Sequence, residues 1–164
     1  HSQGITPCAF VLSDPQGANR QELGTDEAIF SLKELPQLVK AGWNVGSHSA
    51  THANFANLNL ASAQVEIAGS KRTLEQALST KIKYFALPRG NHNSHVDRVV
   101  KQSGYALCLT MDDTLLSDTT SPLAVPRVGV DQTHSLTEFR YIATLLIIRL
   151  RGFLKKINIS RLYE

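Results

Sequence analysis

No stretch of this 164-residue chain is apolar for long enough to cross a bilayer. The longest such run, residues 141–148, falls short of the roughly 20 residues a spanning helix needs and is interrupted by Thr144. Low-complexity tracts and internal repeats are absent too. With 42% hydrophobic and 19% charged residues, the composition is that of one globular domain with a single core. The sequence starts at His1 without a charged leader and an apolar signal core, so no secretory signal is read and the compartment stays open. Cysteine is scarce: Cys8 and Cys108 each lie inside an apolar, strand-like run, which predicts buried free thiols over a disulfide. A basic stripe is also lacking. The net charge of +3 is concentrated in residues 140–164, which hold six Lys or Arg and one acid, and one basic tail on a slightly acidic body is not a nucleic-acid footprint.

What is present is an alternation of short apolar runs and amphipathic ones. Residues 5–12 read as a buried strand, and 32–41 as a helix with apolar Leu32, Leu35, Leu38 and Val39 and with Pro36 near its first turn. Gly42 stops that helix, and 43–47 is the next strand. The pattern recurs: helix 61–79, strand 81–87 ending at Pro88, helix 94–103 capped by Ser94, and strand 105–110 after Gly104. Residues 123–130 predict a last strand, which Pro126 places at an edge or a bulge. Strands alternating with helices of this length imply parallel βαβ units, and both a doubly wound sheet and a barrel satisfy them. In either architecture the functional loops follow the C-terminal ends of strands.

At one such end stands Gly46-Ser47-His48-Ser49-Ala50-Thr51-His52, two imidazoles four residues apart. Neutral imidazole is a common zinc ligand, and a catalytic zinc takes three protein ligands and a water. The zinc peptidase motif has a glutamate after the first histidine; Ser49 occupies that position, so the peptidase reading fails. A pair of ordinary polar loop histidines is the plainer alternative.

Three segments in register point to a family. The run from Leu38 through Gly46-Ser47-His48-Ser49-Ala50-Thr51-His52 resembles the second motif of the polysaccharide deacetylases, carbohydrate esterase family four. Phe85-Ala86-Leu87-Pro88-Arg89-Gly90-Asn91 resembles its third motif, and Ser103-Gly104-Tyr105-Ala106 follows at the family's distance. The resemblance is collinear over residues 5–130. It implies an α/β fold, an incomplete, deformed (β/α) barrel of the polysaccharide deacetylase type, missing its first strand. It also implies a divalent metal, zinc first among them, and removal of N-acetyl groups from a polysaccharide or oligosaccharide. By position, His48 and His52 would be metal ligands. Pro88, Arg89 and Gly90 would bind substrate, with the Arg89 backbone N–H as oxyanion donor.

The departures matter equally. The family's first motif, Thr-Phe-Asp-Asp-Gly-like, supplies the general base and the third ligand and should precede strand 5–12; it does not occur in this sequence. The resemblance therefore implies a single domain over 1–164 that is N-terminally truncated, and an incomplete catalytic set. A non-catalytic glycan-binding or scaffolding relative is the alternative. Ala86 stands where the best-known members carry the motif-three arginine, and Arg89 replaces an aromatic. Asp112 and Asp113 look like the lost acidic pair but fall where a later strand belongs, so a turn role stands beside a metal or base role and a role supporting the metal ligands from behind. His134 is the one candidate for the histidine that protonates the leaving amine, and a loop histidine is its alternative. His92 and His95 read as capping-region surface residues near a helix start. Arg127, at a strand end, either holds a buried carboxylate or faces solvent. Residues 136–164 form a basic helical segment expected to pack on the domain, with contact to a membrane surface or an anionic polymer as the alternative. The family suggests a cell-envelope or secreted setting.

Overall fold

Parallel pairing in strict sequence order organises the chain. The computed structural model describes residues 4–19, 23, 29–112, 114–142 and 144. Among them, β1 (Cys8–Val11), β2 (Asn44–Ser47), β3 (Tyr84–Ala86) and β4 (Leu107–Leu109) form a four-stranded sheet in the order β1-β2-β3-β4, every pair parallel. Val11 lies opposite Ser47, Ser47 opposite Phe85, and Phe85 opposite Cys108. The order never reverses, as it would at the switch point of a doubly wound sheet. Closure into a barrel is not seen among the described residues.

The helices follow the apolar spacing, with ends set by local chemistry. Helix α1 (Leu35–Lys40) is shorter than the 32–41 expected, because Ser31 and Glu34 make a hydrogen-bonded turn ahead of it and Pro36 sits in its first turn. The expected helix 61–79 is three consecutive pieces: α2 (Leu60–Ala63), a π-helical segment (Gln64–Gly69) and α3 (Ser70–Leu78). Asn59 caps its start by accepting from the Ser62 N–H, and Ser79 ends it in the left-handed region at φ 50°. Helix α4 (Ser94–Gln102) buries Val96, Val99 and Val100, the i, i+3, i+4 stripe expected of an amphipathic helix.

The cap of α4 corrects the sequence reading. Asn93, not Ser94, is the N-cap: its Oδ1 accepts from the His95 and Val96 N–H groups, while its Nδ2 donates to the carbonyls of Phe55, Ala56 and Leu58. An amide serves both tasks because it carries donor and acceptor at once; a serine hydroxyl cannot reach both. The single turn Phe55–Asn57 is thereby fastened to the start of α4.

The expected strand 123–130 shrinks to a parallel bridge between Leu109 and Val125, flanked by Cys108 N–H to Pro122 O and Thr110 N–H to Val125 O. Pro126 has no N–H to continue the ladder, and pairing stops there. Phe85, fully buried on β3, centres the core, with ring centroids 6.1 Å from Phe55 and 5.0 Å from Tyr105. The two thiols are free and sit on opposite outer strands; burial pushes Cys108 up to about 12 and raises Cys8 as well.

Helix α5 (Leu136–Ile142) opens with a capping box: Ser135 N–H donates to Glu138, and Glu138 N–H donates to the Ser135 hydroxyl. Ile142 is its buried residue, whereas Leu136, Phe139 and Tyr141 are exposed. The rest of the basic segment expected over 136–164, residues 143 and 145–164, lies outside the described residues, as does His1. No helix among the described residues is long and apolar enough to cross a membrane.

Candidate functional site

Strand β2 delivers His48 at its C-terminal end, and the backbone then folds back at once. The His48 N–H donates to Val11 O, and Ser13 N–H and Asp14 N–H donate to Ser49 O and Ala50 O, so the loop is laid against the chain that leaves β1. Ser49 and His52 both occupy the left-handed region, at φ 78° and 65°. Non-glycine residues hold such angles only where the surroundings over-determine them. The Ser49 hydroxyl accepts from the His52 N–H at 2.9 Å, and Ser49 N–H reaches the Ser47 hydroxyl. Glu66 contributes more: one carboxylate oxygen accepts from the Ala50 and Thr51 N–H groups, both at 3.0 Å, and the other accepts from the Thr51 hydroxyl at 2.7 Å.

This fold-back turns the two imidazoles toward each other, with ring centroids 5.0 Å apart and planes at 68°. The Nδ1 of His48 lies 2.7 Å from the Ala86 carbonyl at the end of β3. A carbonyl only accepts, so Nδ1 carries the proton and Nε2 keeps its lone pair. That is the state in which a histidine binds a metal, with its other nitrogen fixed by an outer partner. Burial pushes the His48 pKa down to about 4; the Ala86 bond opposes the shift, while His52 and the Arg127 guanidinium add to it. His48 is therefore neutral at pH 7. Both rings line a cavity of 340 Å³ whose remaining wall is apolar, with Phe10, Leu12, Leu23 and Phe30 among its residues.

The donor set fits two positions of a metal site. Among the described residues, no group of three or more His, Cys, Asp or Glu side chains could hold an ion. Asp112 follows β4 on an exposed stretch, and Asp113 lies outside the described residues.

The structure brings the third motif to the same end of the sheet. Pro88–Gly90 is a tight turn one residue after β3, with Arg89 at φ 55° and Gly90 at φ 72°, both in the left-handed region. A Cβ on Gly90 would stand 2.5 Å from Met111 Cβ, so only glycine lets this turn lie against the segment after β4. Arg127 takes neither of its expected roles: its Nε donates to Thr110 O and its Nη2 to Leu87 O, both at 3.1 Å, tying the ends of β3 and β4 together. His134 is bonded to Asp131 in the turn before α5, at 3.1 Å, and does not line the cavity. His92 is paired with Asp97 at 2.7 Å, and His95 is exposed in the first turn of α4.

Glu66 escaped the sequence reading. Its signal was a charge on the buried stripe of an amphipathic helix, three residues after Ala63 and four before Ser70, both fully buried. A carboxylate there requires partners, and the histidine loop supplies them.

The polysaccharide deacetylase family model matches residues 6–108, which is more than half of the chain. No curated protein matches the sequence. Among solved structures, the Streptococcus pyogenes deacetylase PplD in complex with acetate superposes with a TM-score of 0.69 at 18% identity, covering 85% of this chain and 59% of its own. A polysaccharide deacetylase from Bacillus cereus gives a TM-score of 0.66 at 21% identity, over 85% of this chain and 43% of its own. A mutant of a protein described as a CE4 family pseudoenzyme gives 0.51 at 20% identity, over 65% and 35%. The chain thus spans 59% or less of the length of these three. These likenesses establish the fold, and the family model, reaching from β1 to β4 across both motifs, establishes that the chain belongs to the polysaccharide deacetylase family.

Proposed function

We propose that the chain forms part of a metal-dependent hydrolase that removes N-acetyl groups from a glycan, with His48 and His52 as two ligands of a zinc-like ion. The observation that carries this reading is the bond from His48 Nδ1 to Ala86 O, which presents Nε2 unprotonated beside His52. The chemistry such an ion supplies when bound is polarisation of an amide carbonyl and acidification of water. His48 and His52 would hold the ion, the apolar wall around Phe10 and Phe30 lines the cavity beside them, and the Pro88-Arg89-Gly90 turn, which follows β3 and does not itself line that cavity, would supply the Arg89 N–H to a developing oxyanion. His134 is engaged with Asp131, so no proton donor for the leaving amine is assigned.

A second reading is a glycan-binding relative without hydrolytic activity. It is favoured by the lack of a third ligand among the described residues, and a pseudoenzyme of similar fold is a precedent. Zinc titration of the chain and of His48→Ala, followed by acetate release from an N-acetylated oligosaccharide when a segment carrying the family's Asp-Asp motif is joined ahead of β1, separates the two. Zinc uptake lost in the variant, with zinc-dependent acetate release, supports the hydrolase. Glycan binding that is indifferent to zinc and releases no acetate supports the binding module. Equal zinc uptake by both proteins removes the ligand assignment.

A further inference from the structure

We infer that Glu66 is a positioning residue for the metal-binding loop, a role that rests on the ligand assignment of His48 and His52. Glu66 is buried, and its carboxylate makes three hydrogen bonds, all to Ala50 and Thr51, the two residues immediately preceding His52. Those residues span the stretch between the left-handed Ser49 and the left-handed His52. Without an acceptor, two inward-facing backbone N–H groups would lack partners, and the loop would relax towards ordinary angles. His52 would then turn away from His48. Glu66 stands in the π-helical segment Gln64–Gly69, and one residue inserted in such a turn rotates the face that follows by about 100° relative to a regular α-helix. The same register leaves Ser70 facing Ser47 on β2, with their hydroxyls 2.8 Å apart. The helix therefore grips the strand that delivers His48 and the loop that carries His52 through two neighbouring side chains.

The test uses the whole chain and two measurements. Amide hydrogen exchange at Ala50, Thr51 and His52 reads the loop in the metal-free protein, and a competitive titration with zinc alone reads the site. Glu66→Ala is expected to speed exchange at those amides at least tenfold and to weaken zinc binding by about tenfold or more, in the range typical of lost outer partners. Glu66→Gln keeps the volume and one acceptor oxygen, so it covers the case in which the alanine variant does not fold. Its neutral oxygen holds the two N–H groups less firmly, and both readouts are expected several-fold off the original values. Val99→Ala, which opens a cavity under α4, lowers general stability but leaves loop exchange and zinc affinity in place if the effect belongs to Glu66. Unaltered loop exchange in both Glu66 variants would overturn the inference, and so would faster exchange with unaltered zinc affinity. A starting chain that takes up no zinc at all sinks the ligand assignment instead, and loop exchange alone then decides whether Glu66 sets the loop.

Discussion

The imidazole of His48 donates through Nδ1 to the carbonyl oxygen of Ala86, 2.7 Å away, so the first histidine of one motif is anchored on the strand that leads into the next. Thirty-eight residues separate the two in sequence, and parallel pairing of β2 with β3 makes them neighbours. One bond thereby selects the tautomer and aims Nε2 at the space shared with His52.

The depressed basicity of His48 has a thermodynamic consequence. Its pKa falls from 6.5 to about 4, burial being the main cause. In the unfolded chain the ring protonates near 6.5 and in the folded chain it resists, so the unfolded state gains protons first as pH drops. Stability is complete above about pH 6.5 and declines as pH falls towards 4, by about 3 kcal/mol from this group. Urea unfolding of the metal-free chain at pH 7 and pH 4.5 should show that loss, and His48→Gln should remove most of the difference. Arg127→Met, which deletes a nearby positive charge, should move the His48 titration midpoint upwards by NMR.

Asn93 joins residues 55–58 to the start of α4: its Oδ1 accepts from two N–H groups of the helix, and its two Nδ2 hydrogens are shared among three carbonyls. Asn93→Ala removes the cap and leaves three carbonyls without that donor, at a cost of about 2 kcal/mol. Asn93→Asp restores the cap oxygen but sets a second acceptor against the carbonyls of Phe55, Ala56 and Leu58, so it should not recover the loss. Ser94→Ala should stay within about 0.5 kcal/mol. Denaturant unfolding of the three variants ranks them, and a larger cost at Ser94 than at Asn93 would reverse the capping assignment.

Two glycines at similar angles should respond differently. Gly104 has φ 67° and open space where a Cβ would stand, so Gly104→Ala bears only the cost of the left-handed angle, about 1 kcal/mol. Gly90 has φ 72° and Met111 Cβ at 2.5 Å and Met111 N at 2.7 Å from that position. Overpacking adds about 1–3 kcal/mol to Gly90→Ala. Denaturation midpoints compare the two, and equal losses would mean that the turn after β3 is not held against the segment after β4.

Much of the architecture was legible because it is local or periodic. The spacing of Val96, Val99 and Val100 announced α4, the apolar runs marked every strand of the sheet, and His48 and His52 stood out after β2 because functional loops follow strand ends. Ends were harder. Ser94 and Asn93 are both good caps by type, and the choice between them depended on carbonyls contributed by Phe55, Ala56 and Leu58, more than thirty residues away. Arg127 was readable as a charge at a strand end, but not as a tie between Leu87 and Thr110, since those carbonyls converge only when β3 and β4 pair.

By itself the sequence determined the alternating parallel α/β plan, the family, and the two imidazoles available to a metal, because periodicity and motif spacing are properties of the chain in one dimension. Tertiary structure alone decided that His48 is a neutral ring with its Nδ1 on Ala86, and that the loop to His52 is strained and held by Glu66. Those are matters of burial and of hydrogen bonds between distant segments. A donor's partner and a ring's solvation exist only once the sheet and the π-helical segment have brought the far residues into reach.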